Sequence, residues 1–227
     1  MEHSRAHLDA LLRYDTPTLA NAIETFAVRP FSEGFASPQI GCILPKLAPM
    51  IGYAVTATIT ARTPPAGDGA SAGNGALYEH ARSQPAPRIV VVADLDAPDC
   101  CGSLWGEVHA TIFNALGAAG VVTDGIVRDL PEVEAIGFRC FAAGVGVSHA
   151  YVTVQEVGCE VTVGGLTVSP GDLLCADIHG VLSIPHELVA RIPEAADALT
   201  AREQWLISWV RSPEFDPERL VEMRAAH

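Results

Sequence analysis

Apolar positions along this chain follow two rhythms that alternate. From Arg5 to Arg13 they fall at helical spacing, and Asp15-Thr16-Pro17 then offers a cap and a first-turn proline for a second helix running to Phe26. Pro30 to Pro49 keeps no sustained period and is rich in Pro, Gly and Ser, so it reads as a long excursion before a strand from Gly52 to Ala61. A Gly-rich stretch, Pro64 to Gly75, reads as flexible loop or helix entry and leads to a short helix around Ala76 to Arg82. The unbroken branched run in Arg88-Ile89-Val90-Val91-Val92-Ala93-Asp94 predicts a central strand buried on both faces. A loop from Leu95 to Gly106, a helix from about Glu107 to Leu116 stopped by Gly117 and Gly120, and a strand Val121-Val122-Thr123-Asp124 complete a β-α-β unit.

Beyond Asp129 a short helix reaches Ile136, Gly137 ends it, and Cys140 to Ala143 forms a short strand. The second half changes character. Val161-Thr162-Val163 and Leu166-Thr167-Val168 flank the two-residue turn Gly164-Gly165, and Ser169-Pro170-Gly171-Asp172 turns the chain again. Leu173 to Ala176 and Val181 to Ile184 add strands, Pro185 to Val210 is helical with Pro193 as a second start signal, and Ser212 to His227 forms a last short helix. Strands therefore occur both between helices and in direct succession. That order predicts an α/β sandwich with a mixed sheet rather than a doubly wound sheet or a barrel. No repeat or linker divides it, so residues 1–190 read as a single domain and 191–227 as a helical extension packed on it or on a neighbouring subunit.

Composition narrows the function. With 49% hydrophobic and 18% charged residues over 227 positions, the chain can bury one sizeable core. Fourteen Lys and Arg against 27 Asp and Glu leave a net charge of −13, which argues against a basic nucleic-acid surface. No apolar run approaches the roughly 18 to 20 residues that span a bilayer, and the polar start Met1-Glu2-His3-Ser4-Arg5 leads into no signal segment, so a cytoplasmic location without membrane contact is expected. Six cysteines without C-x-x-C spacing read as reduced, packed thiols. Lys46 is the sole lysine and lies in a proline-bounded loop, which leaves lysine-dependent chemistry one poor candidate. Gly67 to Gly75 lacks the Gly-Lys-Ser/Thr of a phosphate loop.

Two segments carry candidate chemistry. Cys101-Gly102-Ser103-Leu104-Trp105-Gly106-Glu107-Val108-His109 is a Gly-bounded turn entering a helix, where free N–H groups and the helix dipole favour a carboxylate. Arg128 and Asp129 stand just past the end of the next strand, the side on which α/β proteins build ligand crevices. Arg128 offers a planar fork for a carboxylate or enolate, and Asp129 a hard oxygen for Mg²⁺ or Mn²⁺. The same pair also suits an ordinary ion pair, and Glu107 alone suits a first-turn carboxylate facing the dipole. His109 can reach the crevice or pack beside it, and Trp105 can wall the site or fill core. His149 and His179 lack the spacing of a zinc site, and Asp177-Ile178-His179-Gly180 reads mainly as a turn. Gly146-Val147-Ser148-His149-Ala150 lacks the last Gly of a nucleophile elbow, and Gly144-x-Gly146 the third Gly of a dinucleotide fingerprint.

Twenty residues separate Glu107 from Arg128, and Asp129 follows at once. This resembles the Asp-x₂₀-Arg-Asp pattern of the family that contains regulator of ribonuclease activity A and the 4-hydroxy-4-methyl-2-oxoglutarate / 4-carboxy-4-hydroxy-2-oxoadipate aldolases, with Glu107 departing from the family's Asp. Leu104-Trp105-Gly106-Glu107, Gly120 to Asp129, Val163 to Leu174 and Gly180-Val181-Leu182-Ser183-Ile184-Pro185 are similar to that family as well. The resemblance is specific from Ile89 to Pro185 and looser from Thr16 to Ala61.

The resemblance implies a swivelling α/β/α sandwich, assembled as a homotrimer or homohexamer with sites near subunit contacts. It also implies a Mg²⁺- or Mn²⁺-dependent aldolase that cleaves a 4-hydroxy-2-oxo acid to pyruvate and a second carbonyl compound, often with oxaloacetate decarboxylase activity. Both reactions pass through pyruvate enolate. By position, N–H groups of Gly106, Glu107, Val108 and His109 would hold the pyruvyl carboxylate and Asp129 the metal, largely through water. Arg128 would contact the 2-oxo oxygen and stabilise the enolate, and Glu107 would orient a metal-bound water acting in proton transfer. Glu107 adds one methylene, and a shift of about 1 Å in a proton-transfer group can cost on the order of a hundredfold. The same family also implies a protein-binding regulator of a ribonuclease, for which the acidic surface would mimic RNA, and the atypical Glu107 keeps open a related sugar-acid lyase that uses the same enolate chemistry on another substrate.

Overall fold

The branched run at residues 88–94 becomes the strand around which a computed structural model of the chain is organised; it describes residues 2–65 and 69–225. In chain order the elements are α1 (Arg5–Leu11), α2 (Thr16–Glu24), β1 (Gly41–Cys42), β2 (Met50–Thr60), α3 (Gly69–Ser83), β3 (Arg88–Asp94), α4 (Glu107–Ala115), β4 (Ala118–Thr123), β5 (Ile126–Val127) and α5 (Leu130–Ile136). They continue with β6 (Arg139–Ala142), β7 (Gly144–Val145), β8 (Thr153–Val157), β9 (Val161–Val163), β10 (Leu166–Val168), β11 (Leu173–Asp177), β12 (Gly180–Ile184), α6 (Ile192–Val210) and α7 (Leu220–Ala225).

Eight strands form one mixed sheet in the order β1-β6-β4-β3-β2-β11-β12, with β8 also joined to β2. The strands β2, β3, β4 and β6 run parallel, and the remaining pairings are antiparallel. The length of β2 allows two partners along one edge: its first residues pair with β11 and its last with β8. The α/β class and mixed sheet expected from the chain are therefore formed.

Side-chain alternation sorts the core. Val90 and Val92 of β3 face a cluster with Leu77 of α3, Phe113 of α4 and Val133 of α5. Ile89 and Val91 point the other way, against Val161, Val163, Leu166 and Val168 of the β9–β10 hairpin. Fully burying each such side chain contributes about 1.5–3 kcal/mol, and β3 is held from both sides. A third cluster gathers α1, α2 and the first half of α6 over Ile51, Tyr53, Leu173 and Leu182. Helix α6 starts next to Pro193, as expected, buries Ile192 and Ala196, and leaves Ile207 and Val210 partly exposed. Among the described residues no helix is long and apolar enough to cross a membrane. The cysteines are free, and burial pushes the Cys140 and Cys175 thiols up to about 12, which leaves them unreactive.

Two local differences from the sequence expectations have physical causes. Helix α3 begins at Gly69 rather than near Ala76, although part of the Gly-rich stretch, residues 66–68, lies outside the described residues. Its glycines permit close approach: a Cβ at Gly73 would overlap the Val154 carbonyl of β8. Strand β8 itself was not expected, because Thr153-Val154-Gln155-Glu156-Val157 has no clean alternation. Its register with β2 shifts between Thr58 and Ile59 and passes over Gln155, and the adjacent Thr153 and Val154 are both buried.

The N-terminus is tied down by a chain of rings. His186 Nε2 lies 3.1 Å from the Gly171 carbonyl, which can only accept, so His186 Nδ1 accepts in turn from His3 Nε2 at 2.9 Å. The His3 amide donates to Tyr53 Oη at 2.6 Å, and the three rings stack. Burial first, and then neighbouring positive charge, push the His3 imidazole below its ordinary 6.5. Burial lowers His80 and His109 in the same sense. The unfolded chain accepts protons that the folded one refuses, so this stabilisation is complete above 6.5 and is lost as pH falls below it. The thermal midpoint is expected to drop between about pH 7 and pH 5, and less steeply in His3→Gln; an identical slope in that variant would contradict the assignment.

Candidate active site

The loop after β3 and the turn after β4 are brought together by backbone pairing. Trp105 bridges Val127 in parallel, and the Arg128 amide donates to the Trp105 carbonyl at 3.0 Å. Ser103 Oγ accepts from the Trp105 amide at 3.0 Å and donates to its carbonyl at 2.8 Å, fixing the approach to Gly106. Gly106 caps α4 without a side chain. A Cβ there would overlap Asp129 Oδ2, so the missing side chain is the space the carboxylate uses. The Glu107 amide donates to that oxygen at 3.1 Å. Asp129 reaches it from a left-handed backbone conformation, φ 54°, in which Asp is tolerated better than most residues.

Arg128 NH1 lies 3.8 Å from Asp129 Oδ1, and both side chains are about one-third exposed, at 33% and 34%. The structure thus brings together Gly106, the Glu107 amide, Arg128 and Asp129. The amides of Val108 and His109 have no acceptor among the described residues, as expected for a helix's first turn. The Glu107 carboxylate is exposed beside them and has no hydrogen-bond partner among the described residues.

Beside this cradle opens a cleft of ≈ 210 Å³ lined by Leu104, Val108, His109, Arg128, His149 and Val152, among others. His109 is stacked on Phe113, lies edge-on to Trp105, and has Nε2 3.3 Å from Tyr78 Oη. Burial lowers its pKa, which keeps the ring neutral at pH 7. Trp105 is only 1% exposed and packs on Phe113 and Phe138, so it fills core rather than walling the site. Its indole N–H has no acceptor among the described residues.

Residue-by-residue reasoning missed the far wall. His149 and Val152 arrive on the loop after β7, held by the Ser103 amide donating to the Ser148 carbonyl at 3.0 Å. Gly102 is the local sign of this contact, since a Cβ there would overlap the His149 carbonyl. Gly146 is explained similarly: β7 pairs with β5, and a Cβ at Gly146 would overlap Ile126. Two acids, Asp94 buried and Asp124 half-buried, also position the site. Asp124 Oδ1 accepts from the Asp94 amide at 2.7 Å, tying the start of the turn that carries Arg128 to the end of β3. Burial raises the pKa of both carboxyls, and Asp94 Oδ2 has no partner among the described residues.

Asp177 and His179 form a turn elsewhere. Although burial opposes it, donors from Thr16 and His179 hold the Asp177 carboxyl below the usual range and tie β11 to α2. Among the described residues no group of three or more His, Cys, Asp or Glu is arranged to hold a metal ion. Asp129 therefore offers one carboxylate. That suits Mg²⁺, which keeps several waters and needs one or two carboxylates, and does not suit a closed zinc centre.

Solved structures share this fold. An uncharacterized protein from Pseudomonas syringae pv. tomato matches with a TM-score of 0.76 at 22% identity, covering 100% of this chain and 96% of its own. Streptomyces coelicolor RraAS2, described as an unusual member of the RNase ES inhibitor RraA family, matches with a TM-score of 0.67 at 24% identity over 90% and 96%. Residues 16–183 match the model of the RraA-like family, described as Aldolase/RraA, and the chain belongs to that family. A Halalkalibacterium halodurans protein, provisionally named a 4-hydroxy-4-methyl-2-oxoglutarate aldolase, is 32% identical over 111 residues, 48% of this chain and 50% of that protein. Protein DlpA of Legionella pneumophila is 26% identical over 126 residues, 53% of this chain and 20% of its own. The chain thus spans half the length of the first relative and less of the second.

Gly106→Ala is expected to force Asp129 off the α4 amide and to destabilise the protein by about 1–3 kcal/mol. Urea unfolding measures this, and an unchanged midpoint would mean that the carboxylate does not occupy that space.

Proposed function

We propose that this chain is a Mg²⁺- or Mn²⁺-dependent lyase that cleaves a 4-hydroxy-2-oxo acid to pyruvate and a second carbonyl compound, and that it also decarboxylates oxaloacetate. The observation that carries this reading is the convergence of the Arg128 guanidinium and the unpaired first-turn amides of α4 on one cleft, with the Asp129 carboxylate held against Gly106 beside it. The family's Aldolase/RraA description and the aldolase name of the H. halodurans relative support a lyase.

In the cleavage, the bond between C3 and C4 breaks and its electron pair passes to an enolate over C3, C2 and the 2-oxo oxygen. The Val108 and His109 amides hold the substrate carboxylate without any lysine. Arg128 donates to the 2-oxo oxygen as it gains negative charge, an interaction that strengthens toward the transition state. Glu107 takes the proton from the 4-hydroxyl, directly or through one water, as C4 becomes a carbonyl. Glu107 then returns that proton to C3, directly or through the same water, which gives pyruvate and restores the Glu107 carboxylate. Asp129 would hold the divalent cation, which when bound supplies Lewis-acid polarisation of the 2-oxo oxygen. In this reading the enzyme works in the cytoplasm as a homotrimer or homohexamer, with residues 191–227 packed on the same domain or on a neighbouring subunit.

A second reading is a protein-binding regulator of a ribonuclease, favoured by the net charge of −13 and by the RNase ES inhibitor family named for the S. coelicolor neighbour. Pyruvate release separates the two. Turnover is expected to require added Mg²⁺ or Mn²⁺. Arg128→Ala should lower kcat by roughly 10²–10³, Glu107→Gln by roughly 10²–10⁴, and Asp129→Ala should abolish the response to metal. Full pyruvate production by Arg128→Ala and Asp129→Ala would remove the site assignment. Metal-independent silence toward every 2-oxo acid, with capture of a ribonuclease, would favour the regulator.

A further inference from the structure

Aldol cleavage carries its own proton, which Glu107 takes from the 4-hydroxyl and returns to C3. Decarboxylation of oxaloacetate does not. Its C3–C4 bond breaks, the electron pair passes to the enolate and C4 leaves as CO₂, so the proton that completes pyruvate comes from a second donor. The loop after β7 holds a group of the right kind. His149 lines the cleft together with Arg128, Val108 and His109, and its exposure lets it exchange protons with solvent.

Backbone bonds hold this exposed loop on both sides of the ring. The Ser148 carbonyl accepts from the Ser103 amide at 3.0 Å, the Tyr151 amide donates to the Ala61 carbonyl at 3.1 Å, and the Val152 amide donates to the His149 carbonyl at 3.1 Å. Ser148 Oγ accepts from the Ala150 amide at 2.9 Å. Among these bonds Ala150 is left-handed, φ 45°, a conformation that costs roughly 1–2 kcal/mol for a residue with a Cβ. Such conformations persist where the surroundings over-determine them, and they cluster at functional sites. Asp129, φ 54°, is another. The turn sets the Ala150 carbonyl 2.7 Å from His149 Nδ1. A carbonyl can only accept, so Nδ1 carries a hydrogen in the neutral and the charged ring alike. Nε2, on the side of the ring away from that bond, is the nitrogen that gains and loses a proton. One nitrogen fixed by a carbonyl and the other free is the arrangement of an oriented acid–base histidine.

We infer that His149 is the catalytic acid that protonates C3 when this site decarboxylates oxaloacetate. The inference rests on the lyase reading and assigns the proton for which that reading names no donor. The charged ring gives up its Nε2 proton, and the N–H electron pair stays on the nitrogen. The C2–C3 π pair of the enolate forms the new C3–H bond as the 2-oxo group is restored. The neutral ring then regains a proton from water, so each turnover consumes one proton and yields one pyruvate and one CO₂. Glu107 stands on the first turn of α4 and His149 on the loop after β7, so the two donors serve C3 from different walls of the cleft.

The handedness of the new methyl group tests it. Oxaloacetate and 4-hydroxy-4-methyl-2-oxoglutarate, each carrying deuterium in one configuration at C3, are turned over by the full chain with Mg²⁺ or Mn²⁺ in tritiated water. The wild type is expected to give pyruvate with a chiral methyl group from both. In His149→Gln, oxaloacetate should give a racemic methyl, because solvent then protonates the enolate from either face, while the aldol substrate keeps its handedness through Glu107. A chiral methyl from oxaloacetate in His149→Gln, or a racemic one in the wild type, would overturn the inference and leave the lyase reading standing. Loss of handedness, or of pyruvate, from both compounds in the variant would show that His149 shapes the cleft rather than donates, and overturns the inference as well. Wild-type turnover of the aldol substrate alone would remove the decarboxylation and this inference while leaving the cleavage. Absence of pyruvate from both compounds with the wild type, with metal present, would remove the lyase reading and this inference together.

Discussion

The site depends on the hydrogen bond from the Glu107 amide to Asp129 Oδ2, made across a glycine. Several local features exist only to allow it. Gly106 has no Cβ, Asp129 adopts a left-handed conformation that costs roughly 1–2 kcal/mol for an ordinary residue, and the Trp105–Val127 bridge sets the distance between the two segments. The outcome is a carboxylate at the positive end of α4 that stabilises the helix end while keeping Arg128, its neighbour, aimed along the same opening. One bond thereby fixes the relative positions of the unpaired α4 amides and the guanidinium, and the proposed reaction depends on that proximity.

The sheet supplies the frame that makes this contact repeatable. β3 and β4 run parallel, so both deliver their following loops to one edge, where doubly wound and mixed α/β proteins bind ligands. At that edge Asp124 joins the two strand ends through the Asp94 amide, so the turn leading to Arg128 cannot slide against the loop leading to Gly106. Burial raises the pKa of the half-buried Asp124 carboxyl that accepts this bond and of the buried Asp94 carboxyl beside it, and backbone donors oppose that shift. β5 and β7 then form a small parallel pair beyond the main sheet, and their pairing sets the loop carrying His149 opposite α4.

Legibility in the sequence followed locality. The helix start at Gly106-Glu107, the strand end before Arg128 and the central strand at residues 88–94 each depend on neighbours a few positions away, so pattern and spacing were enough to find them. The far wall of the cleft was not readable. His149 stands 42 positions after Glu107, and its place depends on a backbone bond from Ser103 to Ser148 and on the room left by Gly102. Strand β8 and the early start of α3 were hidden for a related reason: they pack against each other, and the glycines that permit close packing carry the same local signal as glycines in a loop.

Electrostatics decides which anion can sit in such a site. Arg128 carries one formal positive charge, while Asp129 and Glu107 carry two negative ones, so the side chains alone leave the cradle with an excess negative charge. The α4 dipole, equivalent to roughly half a charge, does not reverse that balance. A monoanion held there needs a further positive group, and Lys46, the sole lysine, lies between β1 and β2, outside the cleft. In the proposed reaction a divalent cation held by Asp129 would bring the side-chain balance to one net positive charge, which matches the substrate carboxylate, and the proton that Glu107 takes up would supply the second positive charge that the enolate needs. That charge count is what argues, in the proposed reaction, for a cation at Asp129.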